Sequence, residues 1–155
     1  MPKDVMVRTA ADNAYLHKDF HGALSTGIEY IHNRYGEEAV REYLRRFTRA
    51  YYAPLIAEIK KRGLSVLREH YERIYALEGG EIAFSETGDE LILRTPCSPA
   101  VMHMREHGYL VARLFHETVK TVNETLCEGT PFAAELVEYD TETGRSVQRF
   151  YRRTS

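Results

Sequence analysis

The chain reads as an α+β domain: an antiparallel four-stranded sheet made from two hairpins and packed with about five helices. Two observations predict this. Apolar residues recur every three or four positions from Asp12 to about Leu77, then alternate with period two at Ile82–Phe84 and Leu91–Leu93. Thr87-Gly88-Asp89 and Thr141-Glu142-Thr143-Gly144 each separate two short alternating runs, which is a hairpin signature. The order is three helices, a hairpin, two helices and a hairpin. That order predicts that the hairpins join into one sheet, with the helix between them on its face.

Each element has a local reason. Phe20, Leu24, Ile28, Ile31 and Tyr35 form the apolar stripe of a first helix, and Gly36 stops it. His17 and His21 lie on the same stripe, one turn apart. Gly22 and Gly27 cost this helix about 1 kcal/mol each relative to alanine, and such glycines often admit a close neighbour or a ligand. Glu37 and Glu38 open a second helix at the dipole end that favours acids. Its predicted buried face is Val40, Leu44, Phe47, Tyr51, Leu55 and Ile59, with Pro54 kinking or breaking it near Ala50. Lys60-Lys61-Arg62-Gly63 ends it. Ser65 is the expected cap of a third helix, buried by Leu67, Tyr71 and Ile74 and ended by Gly79-Gly80.

After the first hairpin, Ser98 is a good N-cap and Pro99 fits the first helical position, so a short helix runs to Gly108. A longer helix is expected from Tyr109 to about Cys127, apolar along Val111, Leu114, Phe115, Thr118, Val122 and Leu126. His116 and Asn123 fall on its opposite flank, and Gly129-Thr130-Pro131 breaks it. Phe132–Tyr139 and Ser146–Arg152 make the closing hairpin.

At 155 residues the chain predicts a single domain, 1–155, with a core over about 12–152 and a loose lead-in over 1–11. A net charge of −2 argues against nucleic acid as the main partner, because phosphate binding needs a basic excess. No apolar run approaches the roughly 18 residues of a membrane span. Met1-Pro2-Lys3-Asp4 lacks the apolar core of a signal peptide. Two cysteines do not make a disulfide framework, so free thiols in a reducing cytoplasm are expected. No G-x-S-x-G elbow, phosphate-cradling glycine loop or dinucleotide fingerprint is present, which argues against serine hydrolysis and nucleotide chemistry.

The residues that could carry chemistry are few. Cys97 precedes a helix start, where unpaired N–H groups and the dipole favour a thiolate. It suits a nucleophile or a metal ligand, although a small buried hydrophobe under a turn is the commoner role of such a cysteine. His17-x-x-x-His21 presents two imidazoles on one helix face, as metal ligands, as a base, or as amphipathic flank residues. Lys18 follows the first histidine, so this is not a zincin motif. Cys127 ends a helix, where the dipole disfavours a thiolate, and is read as structural. His103 and His107 also stand four apart, but on a short polar helix where exposure of at least one is expected. Tyr139 with Arg149, Arg152 and Arg153 could meet an anion, although terminal arginines are usually solvated.

Taken together, several of these stretches resemble the L-2-amino-thiazoline-4-carboxylic acid hydrolase family. They are Tyr15-Leu16-His17-Lys18-Asp19-Phe20-His21-Gly22, the Tyr35-Gly36-Glu37-Glu38 helix break and Cys97-Ser98-Pro99-Ala100-Val101 after a strand. With them go His116 and Asn123 on the next helix and Gly144-Arg145 in a closing hairpin. The likeness covers roughly 12–152, and the family's usual Cys-Pro dipeptide is here one residue longer, Cys97-Ser98-Pro99. The resemblance implies a small-molecule hydrolase acting on a non-peptide C–N or C–S bond of a carboxylate-bearing substrate. Cys97 would attack directly with His17 or His21 as base, or a divalent metal held by His17, His21 and Cys97 would activate water. The helix start at Ser98–Val101 would seat an anion. The same residues also suit a small-molecule or metal-sensing domain without turnover. A purely structural domain, or a homodimer, stays open as well.

Overall fold

The computed structural model describes residues 12–154, with side chains from Phe20 onward. Its sheet contains β1 (Ala83–Glu86), β2 (Glu90–Thr95), β3 (Phe132–Tyr139) and β4 (Ser146–Arg152), all antiparallel in the order β1-β2-β4-β3. The two hairpins therefore join through β2 and β4, as the alternating runs predict.

Alternation along β2 puts Leu91, Leu93 and Thr95 on the covered face, opposite Phe150, Gln148 and Ser146 of β4. This face is apolar at its Leu91–Phe150 end and polar at its Thr95–Ser146 end. The outer face is charged, with Arg149 bonded to Glu90 at 2.6 Å and to Glu135 at 3.5 Å. In β3 the register shifts between Leu136 and Glu138. The extra residue changes which side chains point inward, so Tyr139 pairs with Ser146 on the covered face.

The described residues form six helices: α1 (Asp12–Tyr35), α2 (Glu37–Tyr51), α3 (Ala53–Arg62), α4 (Ser65–Glu78), α5 (Pro99–Glu106) and α6 (Glu117–Leu126). The predicted second helix is two, α2 and α3, broken at Tyr52 rather than near Ala50. Pro54 falls in the first turn of α3, where its missing N–H costs nothing. Thr48, not Tyr51, completes the buried face of α2, and Phe20, Tyr35 and Tyr51 are exposed. Leu64 rather than Ser65 precedes α4, and no side chain caps that helix.

The largest departure is at 109–116, expected to be helix. Ala112 N–H donates to Ser25 Oγ at 2.8 Å, Ser25 Oγ donates to the Leu110 carbonyl at 2.7 Å, and Arg113 N–H donates to Glu29 at 3.1 Å. These groups are committed to α1 and cannot enter a helical ladder. Gly22 gives room for the same segment, since a Cβ there would stand 3.2 Å from the Tyr109 ring.

The core is in two parts. Ile59, Leu67, Leu91, Leu126 and Phe150 fill the space between α3, α4, α6 and the sheet. Ile28, Leu44, Val101, Met104 and Phe115 fill the space between α1, α2 and α5. Val122 of α6 packs against both.

Glu117, 2% exposed at the start of α6, ties that helix to α2 through Arg41 Nε at 3.1 Å. Thr121 Oγ1 donates to its other oxygen at 2.5 Å. Burial pushes this carboxyl up, but the Thr121 hydroxyl and the Arg41 guanidinium outweigh it and hold it below its ordinary value. A lowered folded-state value means that the stabilisation is full above the ordinary value of 4.5 and is lost as pH falls through the lowered one. Glu117→Gln is expected to lower stability near neutral pH by about 1–3 kcal/mol. In urea denaturation the gap between parent and variant should narrow as pH falls below about 4.5, and a gap independent of pH would refute the assignment.

Candidate functional site: a cavity between the two cores

A cavity of about 340 Å³ lies at the seam between the core clusters, touching Leu44, Ala100 and Phe115 of one and Leu126 of the other. Its aromatic wall comes from α2, the Tyr52 break and α4. Phe47 and Tyr51 stack at 5.3 Å, Tyr52 meets His70 edge-on at 5.7 Å, and His70 meets Tyr71 at 5.4 Å. The helical period of α4 aims His70, Tyr71, Ile74, Tyr75 and Glu78 into this space. Leu24, Val119 and Val122 complete the apolar lining.

The sheet supplies a polar seam. Tyr71 OH donates to Asn123 Oδ1, Asn123 Nδ2 donates to Gln148 Oε1 at 2.8 Å, and Gln148 Nε2 donates to Ser146 Oγ at 3.0 Å. Ser146 Oγ shares a hydrogen bond with Thr95 Oγ1 at 3.2 Å. Burial pushes the Tyr75 and Tyr139 phenols on this wall up to about 12, so both stay neutral.

Among the described residues, the charged groups of the cavity meet as a pair. His21 Nε2 lies 2.7 Å from Glu78 Oε1, with the two side chains 17% and 5% exposed. The sequence pattern singled out His21 but missed Glu78. The available signal was an acid in the last turn of a helix, where the dipole disfavours it, directly before Gly79-Gly80. Asn123, expected on the outer flank, is instead buried and bridges α4 to β4.

The other expected site residues fall as follows. His17 belongs to α1 one turn before His21, and its side chain lies outside the described residues. Cys97 is half-buried in the turn between β2 and α5. Its neighbours Ser98 and Pro99 line the cavity, but Cys97 does not. No group of three His, Cys, Asp or Glu that could hold a metal ion occurs among the described residues.

Part of the start of α5 is taken up by its own surroundings. Ser98 Oγ accepts from Val101 N–H at 3.3 Å, Ser98 N–H donates to the Thr143 carbonyl at 2.8 Å, and Pro99 has no N–H. The β3–β4 turn sits directly on it, since a Cβ on Gly144 would stand 2.4 Å from Ser98 Cβ.

His103 of α5 and His107, which ends that helix, lie with tilted rings 4.1 Å apart, half-buried and exposed respectively, away from the cavity lining. His116 lies 3.6 Å from Glu117 and borders a separate surface cleft with Arg105 and Arg113. Arg105 donates to the carbonyls of Thr141 and Glu142, and Arg113 to Glu29 and Asn33. Arg149 and Arg152 are paired with Glu90 and Asp89, while Tyr139 reaches the cavity.

The two thiols differ in environment. Cys127 is fully buried, and burial pushes its thiol up to about 12. Iodoacetamide should therefore label Cys97 faster than Cys127 in the native protein, and both alike once unfolded. Equal native rates would refute this order.

A scan against protein-family models and a search of curated proteins both match nothing, so the geometry alone carries the functional reading.

Proposed function

We propose that this chain binds a small, largely apolar molecule in the cavity between its two cores. The observation that carries the reading is the cavity itself: about 340 Å³, walled by aromatic and branched side chains, with His21–Glu78 as its one ion pair among the described residues. Small-molecule sites have this size and this make-up, a mostly apolar surface with a few convergent polar groups that orient the ligand. The polar seam is largely satisfied within itself, so it supports a fixed wall more than a set of free hydrogen-bonding groups. Both cysteines are free thiols, which suits a cytoplasmic setting.

One observation favours turnover as a second reading. An imidazole held beside a buried carboxylate is the arrangement that orients a general base. In that reading the chain is a hydrolase of the L-2-amino-thiazoline-4-carboxylic acid hydrolase type. Cys97 would be the nucleophile and His21, with His17, the base. Alternatively, His17, His21 and Cys97 would hold a divalent metal that activates water.

Binding is tested with the neutral probe N-phenyl-1-naphthylamine, whose fluorescence rises in apolar surroundings. The parent protein should bind it, and Val119→Trp, which fills the cavity, should weaken binding by about tenfold or more with the helical circular dichroism retained. An unchanged affinity in the folded variant would overturn the cavity as the binding site. Turnover is tested on a panel of thiazolines and cyclic amides. Loss of activity in Cys97→Ser, and a fall of about 10²-fold or more in His21→Ala, would support the hydrolase. Full activity in Cys97→Ser would sink the thiol mechanism.

A further inference from the structure

We propose that the surface cleft lined by Arg105, Arg113, His116, Tyr139 and Thr141 binds a small oxyanion, a phosphate or a carboxylate group. This is a second site, and it goes beyond the binding reading above.

The first support is the sign of the lining. Among the described residues the cleft, about 260 Å³ in volume, is lined by two guanidinium groups, an imidazole, a phenol and a hydroxyl. The rest of that lining is apolar, and none of it is a carboxylate. The acids close by are engaged elsewhere. Glu117 accepts from Arg41 and Thr121 and stands 3.6 Å from His116. Glu29 accepts from Arg113, and Asp140 accepts the N–H groups of Glu142 and Thr143 within its own turn.

The second support is the way Arg105 is held. Its Nε and Nη2 donate to the carbonyls of Glu142 and Thr141, each at 3.1 Å. Arg41 and Arg113 bond to carboxylates, whereas these partners of Arg105 are neutral. The guanidinium is therefore fixed in direction by partners that do not cancel its charge. It carries more N–H donors than two carbonyls consume, so a ligand oxygen can bond to it without releasing the turn.

The third support is the pair of neutral donors beside it. The rings of His116 and Tyr139 lie 5.9 Å apart. Burial pushes the Tyr139 phenol up to about 12, so it keeps its proton and can donate. An imidazole offers an N–H in either protonation state, and the carboxylate nearest His116 is too distant, at 3.6 Å, to hold that proton. Hydrogen bonds to an ionised acceptor are about twice as strong as neutral ones, which favours an oxyanion over a neutral carbonyl in this cleft. The volume fits one anionic group, and the chain's net charge of −2 does not suit a long polyanion.

The experiment follows the backbone amides of the full chain by NMR near neutral pH, at constant ionic strength, during titration with inorganic phosphate and separately with acetate. Amides at Arg105, His116 and Thr141 should shift saturably with at least one of the two, with a Kd on the order of 1 mM. The tighter ion identifies the group as phosphate or carboxylate. Arg105→Gln should weaken that binding by about tenfold or more. Tyr139→Phe, which keeps the ring and removes only the donor, should weaken it by about threefold. Shifts that saturate with neither ion would overturn the proposal, as would an unchanged affinity in Arg105→Gln. If Arg105→Gln does not fold, an unchanged affinity in Tyr139→Phe overturns it instead.

Discussion

The hydrogen bonds from Tyr71 through Asn123 to Gln148 are the constraint on which the rest of the site depends. They join α4, α6 and β4 at the place where the covered face of the sheet turns from apolar to polar. Below them, Leu91, Leu93 and Phe150 pack against α3, α4 and α6. Above them, Thr95, Ser146 and Gln148 would each be costly to bury alone. They are buried only because they satisfy one another and Asn123. A wall of this kind cannot interdigitate with helices as leucines do, and the space beside it is the cavity.

The second determinant is how α1 is held. Ser25 and Glu29 bind the backbone of the segment before α6, and Gly22 accepts the Tyr109 ring. Together these fix His21 one turn earlier on the same helix. Glu78 meets it from the end of α4, stopped there by Gly79 in the left-handed region at φ 71°. An acid at that end opposes the helix dipole, and His21 meets the Glu78 carboxylate from across the cavity. This ion pair of the cavity is thus a meeting of two helix positions 57 residues apart in sequence.

Binding and turnover share this pair but ask different things of it. As a binding group, the pair supplies polarity and direction in an otherwise apolar space. As a base, His21 would need a reacting atom within reach, with the Cys97 thiol one residue removed from the lining residue Ser98. The aromatic wall favours neither catalytic scheme. It contributes surface, and apolar surface removed from water is what small-molecule affinity in such cavities draws on.

Period and local turn chemistry were enough to read the hairpins, the Gly36 stop, a break ahead of Pro54 and the Ser98–Pro99 helix start, because each depends on neighbouring residues and local backbone sterics. His21 was legible as part of a stripe, and Cys127 as a structural thiol at a helix end. Glu78, Asn123 and Gln148 were not legible as a set, because each looks like an ordinary polar residue until its partner from another element is beside it. The segment 109–116 has the apolar spacing of a helix, yet Ser25 and Glu29 draw its backbone groups away. The bulge at Leu136/Glu138 turns Tyr139 inward although simple alternation points it out. The sequence by itself determined the elements and the α+β class, since these follow from local periodicity and turn chemistry. Only the tertiary structure decided the cavity and its ion pair, because both come from long-range hydrogen bonds that hold polar groups where packing would otherwise close the space.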